Sequence, residues 1–355
     1  MTALTRADLD NLPEYVPGRT IPGAIKLASN EVAAGPLPSV VAAIAAAGVE
    51  VNRYPDSGAG ALVTRMAQRF GVPEDQLSVG CGSVTLCQQL LQATCTPADE
   101  VVFGWRSFEA YPILTTVVGA RSVRVPLTAE HTLDTEAMLA AITPATRLVF
   151  ACTPNNPTGT ALRSGELRRF LDRVPDDVLV VIDEAYREFV DDPDVPDAID
   201  VAKGAWASGH DNVAVLRTFS KAYGLAGLRV GYCVAPAPVT SAVRKTYVPF
   251  GVNSLAQVAA IASLDAEDEL MARCRQIIGE RARVWSELVA MGYEVPSSQA
   301  NFVWLPLGAR TMAFNEHCLD HKVIVRAFAG DGARVTIGEP AENDTFLDVA
   351  KSFPH

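Results

Sequence analysis

Four short segments of this 355-residue chain bring residue types together at spacings that can do chemistry. In Val213–Tyr232 (VAVLRTFSKAYGLAGLRVGY) an apolar run ends in Ser220-Lys221, a glycine-bearing turn follows, and Arg229 stands eight residues after the lysine. A lysine in the loop after a buried strand sits at the carboxyl edge of a parallel sheet, where α/β proteins place ligands. With its stem packed and its amine short of solvent, such a lysine has a lowered pKa and can form a Schiff base. Arg229 could add a fixed charge for a phosphate or a carboxylate. A surface lysine and arginine flanking a loop would read the same way in this segment alone.

In Val178–Phe189 (VLVVIDEAYREF) an apolar strand ends in Asp183-Glu184-Ala185-Tyr186. A carboxylate at the end of a buried strand is costly unless it is paired or hydrogen-bonded. A protonated heterocyclic nitrogen would satisfy it, and so would the first N–H groups of a following helix. Tyr186 could donate to a phenolate oxygen. The segment Thr153–Gly159 (TPNNPTG) is a turn by composition, from which Asn156 could point a carboxamide at a ligand. Gly80–Thr85 (GCGSVT) reads as a strand-to-helix turn with the Gly82, Ser83 and Val84 N–H groups at a helix N-terminus, a ready phosphate site. It is not a complete dinucleotide fingerprint.

These segments need a frame to hold them. Short β-branched runs alternate with helical stretches, which predicts βαβ units and a mainly parallel sheet. Expected strands are Gln76–Val79, Glu100–Phe103, Ser122–Val125, Arg147–Cys152, Val178–Ile182, Val213–Arg217 and Arg229–Val234. Continuous apolar runs such as Val178–Ile182 suit strands covered on both faces. Expected helices between them are Pro38–Ala47, Ala59–Phe70, Thr85–Thr94, Phe108–Val118, Thr135–Ile142 and Ser164–Leu171. The texture changes near Lys245. A long helix over Glu267–Met291 precedes short strands at Phe302–Pro306, Val323–Arg326 and Arg334–Ile337, with helices near Thr311–Asp320 and Ala341–Ser352. The expected division is an N-terminal arm (1–30), a large α/β domain with a seven-stranded sheet (31–245) and a smaller α+β domain (246–355). Asp191–Asp200, with five aspartates and two prolines, is expected to be an exposed loop.

Composition narrows the classes. With 30 Lys+Arg against 41 Asp+Glu the net charge is −11, which disfavours nucleic acid or an anionic membrane as the main partner. No apolar run approaches the ~20 residues of a membrane span, and the charged stretch Met1–Tyr15 does not read as a signal peptide. Seven cysteines, few and odd in number, predict a reducing, cytoplasmic compartment.

Taken in order, SNE (Ser29–Glu31), NRYPD (Asn52–Asp56), GCGS, TPNNPTG, DEAYREF, RTFSKAYGLAGLRVGY and RVTIG (Arg334–Gly338) closely resemble the fold-type I aminotransferases, and more narrowly the histidinol-phosphate aminotransferase group. The resemblance runs from about Tyr15 to about Leu347 and implies pyridoxal 5′-phosphate as cofactor. It implies that Lys221 holds the cofactor and then moves the substrate proton. Asp183 keeps the pyridine nitrogen protonated, and Tyr186 and Asn156 hydrogen-bond the ring oxygen. Gly82, Ser83, Ser220 and Arg229 hold the phosphate, and Phe108 stacks on the ring where many relatives carry Tyr. Arg334 would clamp the substrate α-carboxylate, with Asn30 and Tyr15 nearby. Tyr54 would reach the phosphate of a neighbouring subunit, which implies a homodimer with shared sites.

Within the group the donor is an aromatic amino acid or histidinol phosphate. Trp105, Phe108 and Phe250 could form an apolar wall for an aromatic ring, and WRSFEAYP, PFGVNSLAQ and VRAFAGDGARVTIGEP look most like the aromatic (phenylalanine-type) members. Arg326 stays as a possible phosphate partner. The expected activity is transfer of the amino group of an aromatic amino acid to 2-oxoglutarate by a ping-pong cycle. Histidinol-phosphate transamination is the alternative, followed by a decarboxylase and a non-catalytic ligand sensor on the same fold. His317 and His321, four apart on one helix, are expected to be solvated rather than metal-binding. Cys81 and Cys87 are expected to pack, and the Arg273–Arg283 helix segment to present a solvated face.

Overall fold

The computed structural model describes residues 21–354. In chain order its strands are β1 (Ile25–Leu27), β2 (Leu77–Gly80), β3 (Glu100–Trp105), β4 (Arg121–Pro126), β5 (Thr146–Cys152), β6 (Leu179–Asp183), β7 (Val213–Thr218), β8 (Gly231–Val234), β9 (Phe302–Leu305), β10 (Val323–Phe328) and β11 (Gly332–Thr336). Among the described residues they form two sheets, one of seven strands in the order β2-β8-β7-β6-β5-β3-β4 and one of four in the order β1-β10-β11-β9. Only β8 runs against its neighbours in the larger sheet. The carboxyl ends of β3, β5, β6 and β7 therefore open on one edge. Because β8 is antiparallel to both β2 and β7, the end of β2 reaches that edge too.

Alternation along each strand feeds two cores. Val102, Val149, Ala151, Val180, Ile182 and Val215 face one side with Phe170, Phe219 and Tyr232. Val101, Phe103, Leu148, Phe150, Leu179, Val181 and Leu216 face the other, with Tyr111 and the buried Leu86, Cys87 and Leu90 of the helix Ser83–Thr94. All five residues of β6 are buried. Four of them are apolar, each worth about 1.5–3 kcal/mol on burial, which outweighs the few kcal/mol of ending the strand in a carboxylate. The smaller sheet packs on a third core that includes Leu288, Phe314 and Phe346.

Three expectations are corrected. Asp191–Asp200 is not simply an exposed loop: Val195, Ala198 and Ile199 are buried. Asp197 caps the helix Ala198–Ala207 by accepting from Ile199 N at 2.9 Å. Aspartate fits that place because it satisfies helix-end N–H groups. The Arg273–Arg283 segment is not wholly solvated either. Arg281 is buried and donates to the Phe189 and Ala300 carbonyls at 2.8 and 3.0 Å, paired with Asp191 at 2.6 Å. Finally, β1 joins β10 in parallel, Ile25 opposite Val323, inside the segment expected to be an arm. Three residues are too short to display a period.

Candidate active site

The site forms where the carboxyl ends of the large sheet meet β11. Alternation puts Asp183 on the same face as Val181, beside its register partner Cys152. It is almost fully buried, and the Tyr111 hydroxyl donates to its Oδ2 at 2.7 Å. Its Oδ1 has no partner among the described residues. Burial pushes the carboxyl up to about 6, against the opposing hydrogen bonds from Tyr111 and the Ala185 N–H. Tyr111 is itself fixed by stacking on Phe150, centroids 4.3 Å apart, with Phe108 meeting it edge-on at 5.5 Å.

Lys221 lies three residues beyond β7. Its Nζ donates to the Ser29 carbonyl at 3.0 Å and lies 6.0 Å from the centre of the Tyr186 ring. Loss of solvent, and then the nearby Arg334 and Arg229 charges, lower the amine to about 7 against the pull of Glu31. At neutral pH much of it is uncharged, the state a nucleophile or proton acceptor needs.

The turn after β2 approaches the same place. Gly80 and Thr218 both register with Gly231, so the two loops are neighbours. Space there is tight: a Cβ on Gly231 would come within 2.7 Å of Ser83 N, and one on Gly82, whose φ is +80°, would overlap the Arg229 guanidinium. Ser83 and Val84 begin the helix Ser83–Thr94, so their N–H groups have no intrahelical acceptor. The Gly82 N–H, expected to face a phosphate, is donated to Gly80 O at 2.7 Å. Arg229 Nη1 reaches Ser220 Oγ at 3.3 Å, and the residue holds a left-handed φ of 60°. Helix N–H groups, a hydroxyl and a guanidinium thus converge as an anion cradle.

Facing this edge, β11 carries Arg334. It is buried, its Nη2 donates to Ala28 O at 2.6 Å, and its Nη1 donates to Asn156 Oδ1. Its Nε has no partner, and among the described residues no carboxylate pairs with it. Burial pushes its pKa down. Asn30, in a left-handed conformation, donates through Nδ2 to Tyr186 Oη at 2.9 Å and receives the Thr336 hydroxyl at 3.1 Å. Tyr186 therefore keeps its own hydrogen to donate, and burial raises its phenol to about 12.

Other expected residues fall differently. Trp105 packs with Phe108 on the apolar cluster around Phe103 and Tyr111, and the Arg106 and Arg124 guanidiniums lie over its ring at 4.6 and 4.5 Å. Phe250 stacks instead on Tyr54 at 4.7 Å, and Tyr54 is 83% exposed in the single chain. Arg326 is paired with Glu109 at 2.7 Å. Tyr15 lies outside the described residues. His317 Nε2 lies 2.9 Å from Ser352 Oγ and 3.1 Å from Val349 O, and no metal-binding cluster of His, Cys, Asp or Glu occurs among the described residues. Sequence reasoning passed over Tyr111, Glu109 and Thr336. The only signal for Tyr111 was its place three residues after Phe108; the other two are defined by partners far away in the chain.

The buried carboxylate with one free oxygen, the solvent-poor lysine and the anion cradle fit a phosphorylated heterocyclic aldehyde. The comparisons agree. The family described as aminotransferase class I and II matches residues 22–349. A protein of Rhodococcus jostii named aromatic amino acid aminotransferase is 57% identical over 99% of this chain and 96% of its own. One of the same name from Streptomyces coelicolor is 56% identical over 98% and 97%. The structure of histidinol-phosphate aminotransferase from Sinorhizobium meliloti, in complex with pyridoxal-5′-phosphate, matches with a TM-score of 0.89 at 27% identity, covering 99% of both chains.

Proposed function

This chain belongs to the class I and II aminotransferase family, and from that premise we propose that it is a pyridoxal-phosphate enzyme moving the amino group of an aromatic amino acid to 2-oxoglutarate. The observation that carries the reaction is Asp183, buried with Oδ1 unpartnered, at the sheet edge that also bears Lys221. The names of the relatives at 56–57% identity support the aromatic donor.

Pyridoxal 5′-phosphate, when bound, supplies an electron sink that lets the substrate Cα–H bond ionise. Asp183 Oδ1 would accept from the ring N–H, and its charge would keep that nitrogen protonated. Tyr186 would donate its remaining hydrogen at the ring oxygen, and the Asn156 amide, whose Oδ1 is engaged by Arg334, would offer its NH₂ group. The Ser83 and Val84 N–H groups, Ser220 and Arg229 would hold the phosphate. Phe108 would cover the ring. Arg334, anchored by Asn156 and Ala28, would orient the α-carboxylate, and Lys221 Nζ would take the proton from Cα and deliver it to the cofactor's aldehyde carbon.

We read the active unit as a homodimer. Tyr54, Phe250, Val49, Val51 and Val248 are exposed apolar side chains gathered on two segments of one chain, a surface that a second copy would cover. Tyr54 would then serve the partner's phosphate cradle. Among the described residues no helix is long and apolar enough to cross a membrane. All seven cysteines are unpaired, which supports a reducing cytoplasm.

A donor panel with 2-oxoglutarate as acceptor tests the assignment. The expected order is phenylalanine or tyrosine above histidinol phosphate in kcat/KM. The reverse order would select the histidinol-phosphate reading, and release of carbon dioxide without a 2-oxo acid would select a decarboxylase.

A further inference from the structure

Three guanidiniums surround the Phe328 ring, those of Arg106, Arg326 and Arg334, at 5.4, 5.6 and 5.9 Å. Two of them are neutralised, Arg106 by Asp331 and Arg326 by Glu109. Arg334 alone of the three has no carboxylate among the described residues. Arg326 and Arg334 are register partners across β10 and β11, so their side chains rise on the same face of the sheet. Two like charges there would repel each other. Glu109, which directly follows Phe108 on the opposite wall, removes one of them.

We propose that Glu109 determines side-chain specificity by holding Arg326 as a neutral pair beside Arg334. The inference rests on the reading above, in which Arg334 takes the α-carboxylate. Of the three guanidiniums around Phe328 the site then presents one that is uncompensated, and it accepts one carboxylate with an uncharged side chain. A ligand with a second, distal anion must take Arg326 from Glu109. That exchange is feasible because both partners are partly solvated, with side-chain exposures of 34% and 42%, and such pairs are weak. An acceptor with a distal carboxylate can therefore still bind, against Glu109, while an aromatic donor leaves the pair intact.

The test uses the cofactor-loaded enzyme and two unreactive probes, glutarate and 3-phenylpropionate, with binding followed by the cofactor's absorbance. Glu109→Gln should shift the ratio of the two dissociation constants roughly three- to tenfold towards glutarate. In an Arg326→Gln background, Glu109→Gln should leave the probe ratio unmoved. An unchanged ratio in the single variant, or an equal shift in both backgrounds, overturns the assignment. Failure of phenylalanine as a donor in the parent enzyme would sink the aromatic reading, and the probe ratio would still decide the role of Glu109.

Discussion

The Tyr111 hydroxyl donates to Asp183 Oδ2 at 2.7 Å and leaves Oδ1 of the same carboxylate without a partner. One oxygen is thus held in place by the fold and the other is left open. Tyr111→Phe removes the donor while conserving the stack on Phe150. Because this hydrogen bond lowers the Asp183 pKa, its loss should raise it. We expect cofactor affinity to fall by about tenfold, the size of one hydrogen bond to a charged group. The acid limb of cofactor binding should also move to higher pH. Equilibrium binding at several pH values checks this; unchanged affinity would remove Tyr111 from the site.

Asp183→Asn separates the cost of the site from its use. The carboxyl stands at about 6 in the fold against 3.8 ordinarily, so the folded apo-protein binds the extra proton between those values. Its stability contribution therefore falls as pH rises through that window, and the full cost is present at pH 7. Asparagine cannot ionise. The variant should be more stable than the parent in the apo form at pH 7, by on the order of 2 kcal/mol, with the difference shrinking towards pH 4. Turnover should be lost. Denaturant melts at pH 4 and pH 7 measure it, and an apo variant less stable than the parent at pH 7 would count against the pyridinium role.

Lys221 should make cofactor capture depend on pH. Its amine titrates at about 7, so below that value each unit of acid should slow covalent capture of pyridoxal phosphate by the apo-protein about tenfold, with a plateau above. The apo-protein should gain stability between pH 7 and about 10, where the unfolded chain still binds the proton. Lys221→Ala should lose both effects and all transamination. After borohydride reduction, cofactor mass still attached to that variant would mean another residue holds it.

Arg334→Gln should act on both halves of the reaction. Donor and acceptor share the α-carboxylate, so KM should rise for both, by about a hundredfold for a buried charge-assisted clamp. Stability should drop by about 1–3 kcal/mol, because the Ala28 carbonyl and Asn156 Oδ1 lose their donors. Steady-state kinetics with each substrate varied in turn give the answer. A rise confined to one substrate would place Arg334 elsewhere.

What could be read along the chain was whatever depends on neighbours in sequence. Apolar runs such as Val178–Ile182 announced buried parallel strands. The loops that end them announced Lys221 and Asp183, because the carboxyl edge of such a sheet is a matter of local direction. The ordered motifs then carried the family. Two residues escaped for the same reason. Tyr111 meets Asp183 from 72 positions away, and Glu109 meets Arg326 from 217. A tyrosine in an apolar helix, or a glutamate beside an aromatic, has no mark of its own. Trp105 was legible as an aromatic near the site, but the two guanidiniums that folding lays over its ring were not. Sequence by itself determined the strands of the large sheet and marked Lys221 and Asp183 as candidates to hold a cofactor. Tertiary structure alone decided which oxygen stays free and which of the three arginines around Phe328 lacks a carboxylate partner, because hydrogen bonds and charge compensation act over a few ångströms of space, whatever the separation along the chain.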